Sequence, residues 1–343
     1  MEGHVTYRFS TQKVDYHFGF GASRLSSITD RKSSVLLMDE NVHALHGSRF
    51  RGWECIVIPP GERFKVQSTV DGIIQGLIQR KADRQFTLVG IGGGVITDLA
   101  GYAASVYMRG IRFGFMPTSL LAMVDASIGG KNGIDVGPYK NMVGIIRQPA
   151  FILYDWAFLR TLPDAQWSEG FAEIIKHACI RDATAFRLLS QYDIGRIRRS
   201  KDILHPLIER NARLKTAVVR RDEFERNERR LLNFGHTLGH AIETVHGLSH
   251  GSAVAVGMVL ACRLSETITG FKGTESVRTV IEAYGLPTSH PFHVSKVLDV
   301  LGMDKKRVSR EMNYILLDRI GKGIVHSLPM HELEGWVRSI REQ

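Results

Sequence analysis

Histidines and carboxylates recur in this chain at spacings that suit metal chemistry. In Asn233-Phe234-Gly235-His236-Thr237-Leu238-Gly239-His240 two histidines stand four residues apart, and His250-Gly251 follows ten residues later. Imidazoles at i and i+4 share one helix face and reach a common ion. The glutamate of a His-Glu-x-x-His hydrolase motif is missing, because Thr237 follows the first histidine. A carboxylate ligand is still needed. Glu173, in Glu169-Gly170-Phe171-Ala172-Glu173-Ile174-Ile175-Lys176, is the best-placed candidate, since it lies in an otherwise apolar helical stretch where an unpaired carboxylate is costly.

Two further clusters suit anions. Gly90-Ile91-Gly92-Gly93-Gly94-Val95-Ile96-Thr97-Asp98 lies where a strand should become a helix, and glycines there let a phosphate approach the free amides of the helix start. Val95 stands where a Rossmann fingerprint has its third glycine. Asp39-Glu40-Asn41 and Pro60-Gly61-Glu62-Arg63-Phe64-Lys65 also follow expected strands. Three polar loops at the carboxyl edge of an open sheet suggest a nucleotide. Asp125-Ala126-Ser127-Ile128-Gly129-Gly130-Lys131, followed by Lys140-Asn141, offers a cradle for a carboxylate or phosphate.

The elements that must position these groups change character along the chain. Short apolar runs at 35–38, 55–58, 87–91, 112–116 and 151–154 each end at Asp, Pro or Gly and alternate with helical stretches. That alternation predicts a parallel sheet flanked by helices. Beyond Thr161-Leu162-Pro163 apolar residues recur at steps of four and seven, as at Ile203, Leu207, Leu214 and Val218, so the second half is expected to be mostly helical. The boundary is expected near residue 157, giving domains 1–157 and 158–343.

Composition narrows the class. With 343 residues, 43% hydrophobic and 23% charged, the chain can bury a core, which excludes disordered and collagen-like classes. No apolar run approaches the roughly 20 residues that span a bilayer, and no signal segment opens the chain, so a soluble, unexported protein without a membrane partner is expected. Three widely spaced cysteines form no disulfide framework, which fits the cytoplasm. The net charge of +10 permits nucleic-acid binding, but the densest basic stretch, 209–230, interleaves arginines with Asp222, Glu223, Glu225 and Glu228. Mixed signs mark a solvated helix face, no nucleic-acid module accompanies them, and the excess charge suits a small anionic substrate instead.

Taken together, the strings at 92–110, 117–148, 169–176 and 233–243 resemble the 3-dehydroquinate synthases, sugar-phosphate cyclases, with similarity running over residues 39–306. The resemblance implies an α/β N-terminal nucleotide-binding domain, a mostly α-helical C-terminal domain, bound NAD, one divalent metal (zinc or cobalt) and a homodimer. It implies metal ligands Glu173, His236 and His250, and makes His240 a substrate and acid-base histidine instead of a ligand. It implies a substrate pocket of Asp125, Lys131, Asn141, Lys176, Lys215, Glu225, Arg229, Asn233 and either Lys305 or Lys306. Arg109 resembles an arginine that reaches the phosphate of the neighbouring subunit's substrate. NAD contacts map onto Asp39, Asn41, Glu62, Lys65, Gly93, Gly94, Asp98, Thr118, Ser119, Lys140 and Thr161.

The implied substrate is the phosphorylated keto acid 3-deoxy-D-arabino-heptulosonate 7-phosphate. Transient oxidation by NAD, phosphate elimination, return of the hydride and an aldol closure would convert it to 3-dehydroquinate. Two positions depart from the family. Thr97 precedes Asp98 where glycine is usual, adding a side chain expected beside the pyrophosphate. Ser252 replaces the glutamate of His-Gly-Glu, removing a carboxylate next to His250. The rival expectations are a valiolone- or inosose-forming cyclase and an iron-type alcohol or glycerol dehydrogenase.

Overall fold

All five expected apolar runs form strands of one sheet, joined by two strands from the N-terminal segment. In the computed structural model, which describes residues 2–137, 139–305 and 311–340, these are β1 (Gly3–Arg8), β2 (Lys13–Phe18), β3 (Ser34–Asp39), β4 (Glu54–Ile58), β5 (Thr87–Gly92) and β6 (Arg112–Pro117). After a separate hairpin of β7 (Lys131–Val136) and β8 (Tyr139–Ile146), β9 (Phe151–Tyr154) completes the sheet. The order is β1-β2-β9-β6-β5-β3-β4, parallel except for the antiparallel edge pair β1-β2. β5 and β9 are buried along their whole length, as continuous apolar strands covered on both faces must be. Helices α1 (Glu40–His46), α2 (Gln67–Gln79) and α3 (Gly94–Val106) follow β3, β4 and β5.

From β3 the chain moves outward to β4 and then returns to β5 on the other side of β3. Such a reversal leaves a crevice at the strand carboxyl ends, where open α/β sheets bind ligands. Asp39 ends β3, and Gly93 and Thr118 follow the last residues of β5 and β6.

This first compact unit comprises Met1–Trp167 and Ile208–Glu223, and the second Ser168–Leu207 and Phe224–Gln343. The sequence boundary near 157 assigns 208–223 to the second half, whereas that segment belongs with the sheet. Thr216 Oγ1 donates to Tyr16 Oη at 3.0 Å and an Arg213 guanidinium nitrogen donates to Tyr7 Oη at 3.3 Å. Helical periodicity reveals that a helix has a buried face, but not which sheet covers it.

The second unit is built from α4 (Asp164–Arg181, from Ser168 on), α5 (Ala183–Gln191), α6 (Ile194–Arg199), the start of α7 (Lys201–Arg221), α8 (His236–His246), α9 (His250–Thr269), α10 (Thr274–Ala283), α11 (Val294–Lys305) and α12 (Met330–Ile340). An antiparallel hairpin, β10 (Glu311–Arg319) with β11 (Lys322–Pro329), interrupts the helices, a feature the helical periodicity does not predict. Among the described residues α9 alone is long and apolar enough to cross a membrane. Its apolar length is instead the core of this unit, with Val254 to Cys262 buried.

Candidate active site

Glu173 sits in the middle of α4 with its side chain fully buried, and Lys176, one turn on and also buried, forms an ion pair with it. The other carboxylate oxygen, Oε1, lies 3.3 Å from His250 Nε2 and 3.5 Å from His236 Nε2. Burial alone would raise the acid, but the Lys176 ammonium and the two imidazoles outweigh it and hold Glu173 well below the usual carboxylate range.

The two imidazoles meet because each opens a helix, His236 starting α8 and His250 starting α9. A Cβ at Gly257 of α9 would fall 1.9 Å from the Gly235 carbonyl oxygen, so only glycine lets α9 lie against the first turn of α8. That approach brings the rings of His236 and His250 to 5.4 Å between centroids. Donor atoms of Glu173, His236 and His250 lie within 4.8 Å of one another. One carboxylate and two imidazoles converging on a buried point fit a zinc- or cobalt-sized ion with coordination sites left for substrate.

His240, one turn along α8, has its ring 4.8 Å from that of His236 and 5.8 Å from that of His250. It belongs to an overlapping group with Glu243 and His250, not to the group on Glu173. Packing around the ring, together with nearby His250, moves the His240 pKa down to about 4, although solvent still reaches the residue. Burial and Lys176 drive His236 well below the ordinary imidazole value. Burial would lower His250 too, but hydrogen bonding to Glu173 and Glu243 prevails and raises it to about 10.

Glu243 is a site residue that the sequence reading missed. Its carboxylate is buried, and its Oε2 lies 3.6 Å from His250 Nδ1. The signal was present, because positions 236, 240 and 243 follow the i, i+4, i+7 stripe of one helix face. Elsewhere in this unit Asn233 Nδ2 donates to Glu225 Oε1 at 2.6 Å, and Arg229, midway between them along the chain, is buried. Lys305 ends α11, and Lys306 lies outside the described residues.

In the first unit Lys65 is the organising group. Its buried Nζ lies 2.5 Å from both Asp98 Oδ2 and Asn141 Oδ1, and 3.7 Å from Glu62 Oε1. Burial raises Asp98 to about 6 against the opposing pull of Lys65. Asp135, also missed, accepts from the Asn141 amide at 2.7 Å and so holds the tip of the β7-β8 hairpin. Asp125 lies in a π-helical turn, Ala122–Ala126, and accepts from Lys215 Nζ through both Oδ1, at 2.7 Å, and its carbonyl oxygen, at 2.8 Å.

Gly93 precedes α3 without a capping side chain, and a Cβ there would come to 3.4 Å from Ser119 Oγ. The helix start therefore keeps amides available to a pyrophosphate, which fits a dinucleotide. Lys131, Lys140 and Asn41 are exposed, and Thr118 and Ser119 are buried after β6. Asp39 caps α1 by accepting from Val42 N at 2.9 Å, and the Thr161 hydroxyl lies 2.8 Å from His46 Nε2, so both are engaged locally. Arg109, Asn141 and Glu225 are three of five described non-glycine residues with positive φ, at +66°, +53° and +58°. Strain of this kind concentrates where a fold must aim a side chain.

The two departures resolve differently from expectation. Thr97 is buried, and its hydroxyl turns back to donate to the Gly94 carbonyl at 2.9 Å, so the added side chain lies within the packing of α3. Ser252 lies 2.9 Å from the Ser249 hydroxyl, and a carboxylate is present there after all, contributed by Glu169.

The family model for the 3-dehydroquinate synthase N-terminal region matches residues 55–169, and that for its C-terminal region matches residues 170–307. The 3-dehydroquinate synthase of Nitrosospira multiformis is 42% identical over 313 residues, 87% of this chain and 85% of its own length. That of Halorhodospira halophila is 37% identical over 308 residues, 87% and 86% of the two lengths. Among solved structures, a 2-deoxy-scyllo-inosose synthase complexed with carbaglucose-6-phosphate, NAD+ and Co2+ superposes with a TM-score of 0.86 at 23% identity, covering 98% of this chain and all of that one. The 2-epi-5-epi-valiolone synthase of Streptomyces hygroscopicus with NAD+ and Zn2+ bound gives 0.86 at 26% identity, covering 98% and 99%. With both halves matched in order and relatives above 35% identity over most of both lengths, the chain belongs to the 3-dehydroquinate synthase family.

Proposed function

We propose that this chain acts as a 3-dehydroquinate synthase, a phosphorus-oxygen lyase that converts 3-deoxy-D-arabino-heptulosonate 7-phosphate to 3-dehydroquinate and phosphate in the shikimate route to aromatic amino acids. The observation that carries the reading is the convergence of Glu173, His236 and His250 within 4.8 Å, with His240 on the next turn of α8. Glu173, His236 and His250 would hold a zinc or cobalt ion supplying Lewis acidity toward the oxygen on the substrate's carbon 5, and NAD bound at the strand ends would supply reversible hydride acceptance from that carbon.

The chain's own residues do the rest. Lys176 keeps Glu173 ionised inside an apolar helix and so keeps the metal ligand charged. His240 is neutral at pH 7 and accepts a proton from a substrate hydroxyl. Arg229 and Asn233 bind the carboxylate end of the substrate in this reading. A substrate with about three negative charges gains from each charge-assisted hydrogen bond. Asp39, Glu62, Lys65 and Asp98 hold the cofactor at the strand ends, beside the glycine-opened start of α3.

The enzyme works as a cytoplasmic homodimer in this reading. Hairpin β7-β8 leaves Val136, Tyr139, Met142 and Ile145 exposed, apolar surface suited to contact with a second copy. Phosphate release from the heptulosonate phosphate, with NAD and zinc supplied, tests the function. Release should far exceed net NADH, whereas one NADH per product would identify a dehydrogenase.

A further inference from the structure

The second ligand histidine is the first residue of α9, so its position depends on how that helix begins. Ser249 is the N-cap, yet its side chain caps no amide of the helix. A glutamate at 252 would complete the Ser-x-x-Glu capping box, and the chain has serine there. The amide of Gly251 is instead taken by Glu169 Oε2 at 2.6 Å, and the Ser249 hydroxyl donates to Glu169 Oε1 at 2.5 Å. The Ser249 and Ser252 hydroxyls, 2.9 Å apart, extend the same chain of hydrogen bonds.

Glu169 stands one helical turn before Glu173 on α4. The two carboxylates thus grip the same helix end, Glu169 on its backbone and Glu173 on the imidazole of its first residue. The grip demands close approach. A Cβ at Gly251 would lie 2.8 Å from Glu169 Cα, so α4 and the first turn of α9 touch there without room for a side chain. An anionic cap on the free amides of a helix start is also favoured by the helix dipole.

We propose that Glu169 is a positioning residue for the metal site: it replaces the carboxylate missing at position 252 and fixes the start of α9 so that His250 points at Glu173. This rests on the metal site proposed above. A group that orients a ligand histidine acts on metal affinity as the hydrogen-bond partners behind metal ligands do, and removing one such partner weakens binding by about tenfold or more.

The test measures the zinc dissociation constant of the full-length chain by competition with a chromophoric chelator. Wild type, His236→Ala, Glu169→Ala, Glu169→Gln and the double variant Glu169→Ala with Ser252→Glu are compared, with thermal unfolding of each metal-free protein. Glu169→Ala should weaken zinc binding by about tenfold. The double variant should recover most of that affinity by restoring the capping box. Glu169→Gln preserves volume and one acceptor, so it should fall between and keeps the test valid should the alanine variant not fold. A wild type that binds no stoichiometric zinc, or a His236→Ala protein that binds it as tightly, would overturn the metal site itself. Wild-type affinity in a folded Glu169→Gln and Glu169→Ala, or no recovery in the double variant, would overturn the role of Glu169 alone.

Discussion

His250 Nδ1 lies 3.6 Å from Glu243 Oε2, on the side of the ring opposite the nitrogen that faces Glu173. A carboxylate there favours the proton on Nδ1, so that a metal ion displacing the proton from Nε2 would meet that nitrogen's lone pair. A buried carboxylate on the apolar face of α8 is costly unless it is used in this way.

The first prediction follows from that pair. Glu243→Gln keeps the volume but no longer favours the Nδ1 proton, and outer partners of this type change metal affinity by about 10- to 100-fold. Zinc affinity should fall within that range while the far-ultraviolet spectrum stays native. Unchanged affinity would show that His250 is oriented by packing alone.

The second concerns the close approach that brings the histidines together. Gly257→Ala would place a methyl carbon 1.9 Å from the Gly235 carbonyl oxygen, a backbone atom that cannot rotate aside. The α8-α9 pair must separate, and overpacking of this severity costs about 3 kcal/mol or more. Urea unfolding should show the loss of stability, and zinc binding should weaken with it.

The third concerns pH. Asp98 is raised from 3.8 to about 6 in the folded chain, chiefly by burial. A carboxyl with a raised folded pKa stabilises most when protonated, so its contribution is present below about pH 4 and is lost as pH rises through 6. The wild type should therefore lose up to about 3 kcal/mol relative to Asp98→Asn between those limits, at about 1.4 kcal/mol per unit. Urea titrations at pH 4.5, 5.5 and 7 read the difference, and a gap independent of pH would show that Lys65 keeps Asp98 ionised throughout.

What could be read in the sequence depended on the kind of signal each residue gave. Strands β3, β5 and β9 were legible because burial on both faces makes them continuous apolar runs. The β7-β8 hairpin was not, since β8 is exposed almost along its length and shows no alternation against a core. The β10-β11 hairpin carried the alternation only weakly, with Tyr314 to Leu317 all buried. The cluster of Glu173, His236 and His250 was legible only in part: its histidine spacing and the cost of a carboxylate in an apolar helix marked it, while the choice of His250 over His240 came from the family resemblance. Glu169 was hidden for the opposite reason. It is partly exposed, sits 82 residues from the amide it caps, and has no periodicity that ties it to α9.

The last prediction concerns substrate choice. Arg229 is buried in the segment that also holds Glu225 and Asn233; in the role proposed for it, its guanidinium would hold the substrate carboxylate through two parallel hydrogen bonds that an ammonium cannot reproduce. Losing a charged hydrogen-bonded pair in a dry site costs on the order of 2 to 4 kcal/mol of transition-state binding. Arg229→Lys should therefore lower kcat/KM for the heptulosonate phosphate by well over about tenfold, since about 1.4 kcal/mol is a factor of ten. Sedoheptulose 7-phosphate lacks that carboxylate and should be a poor substrate of the unmodified enzyme. For this substrate Arg229→Lys should change kcat/KM little, because it offers the guanidinium no carboxylate to bind. Preference of the unmodified enzyme for sedoheptulose 7-phosphate would transfer the chain to the valiolone-forming reaction and remove the role given to Arg229.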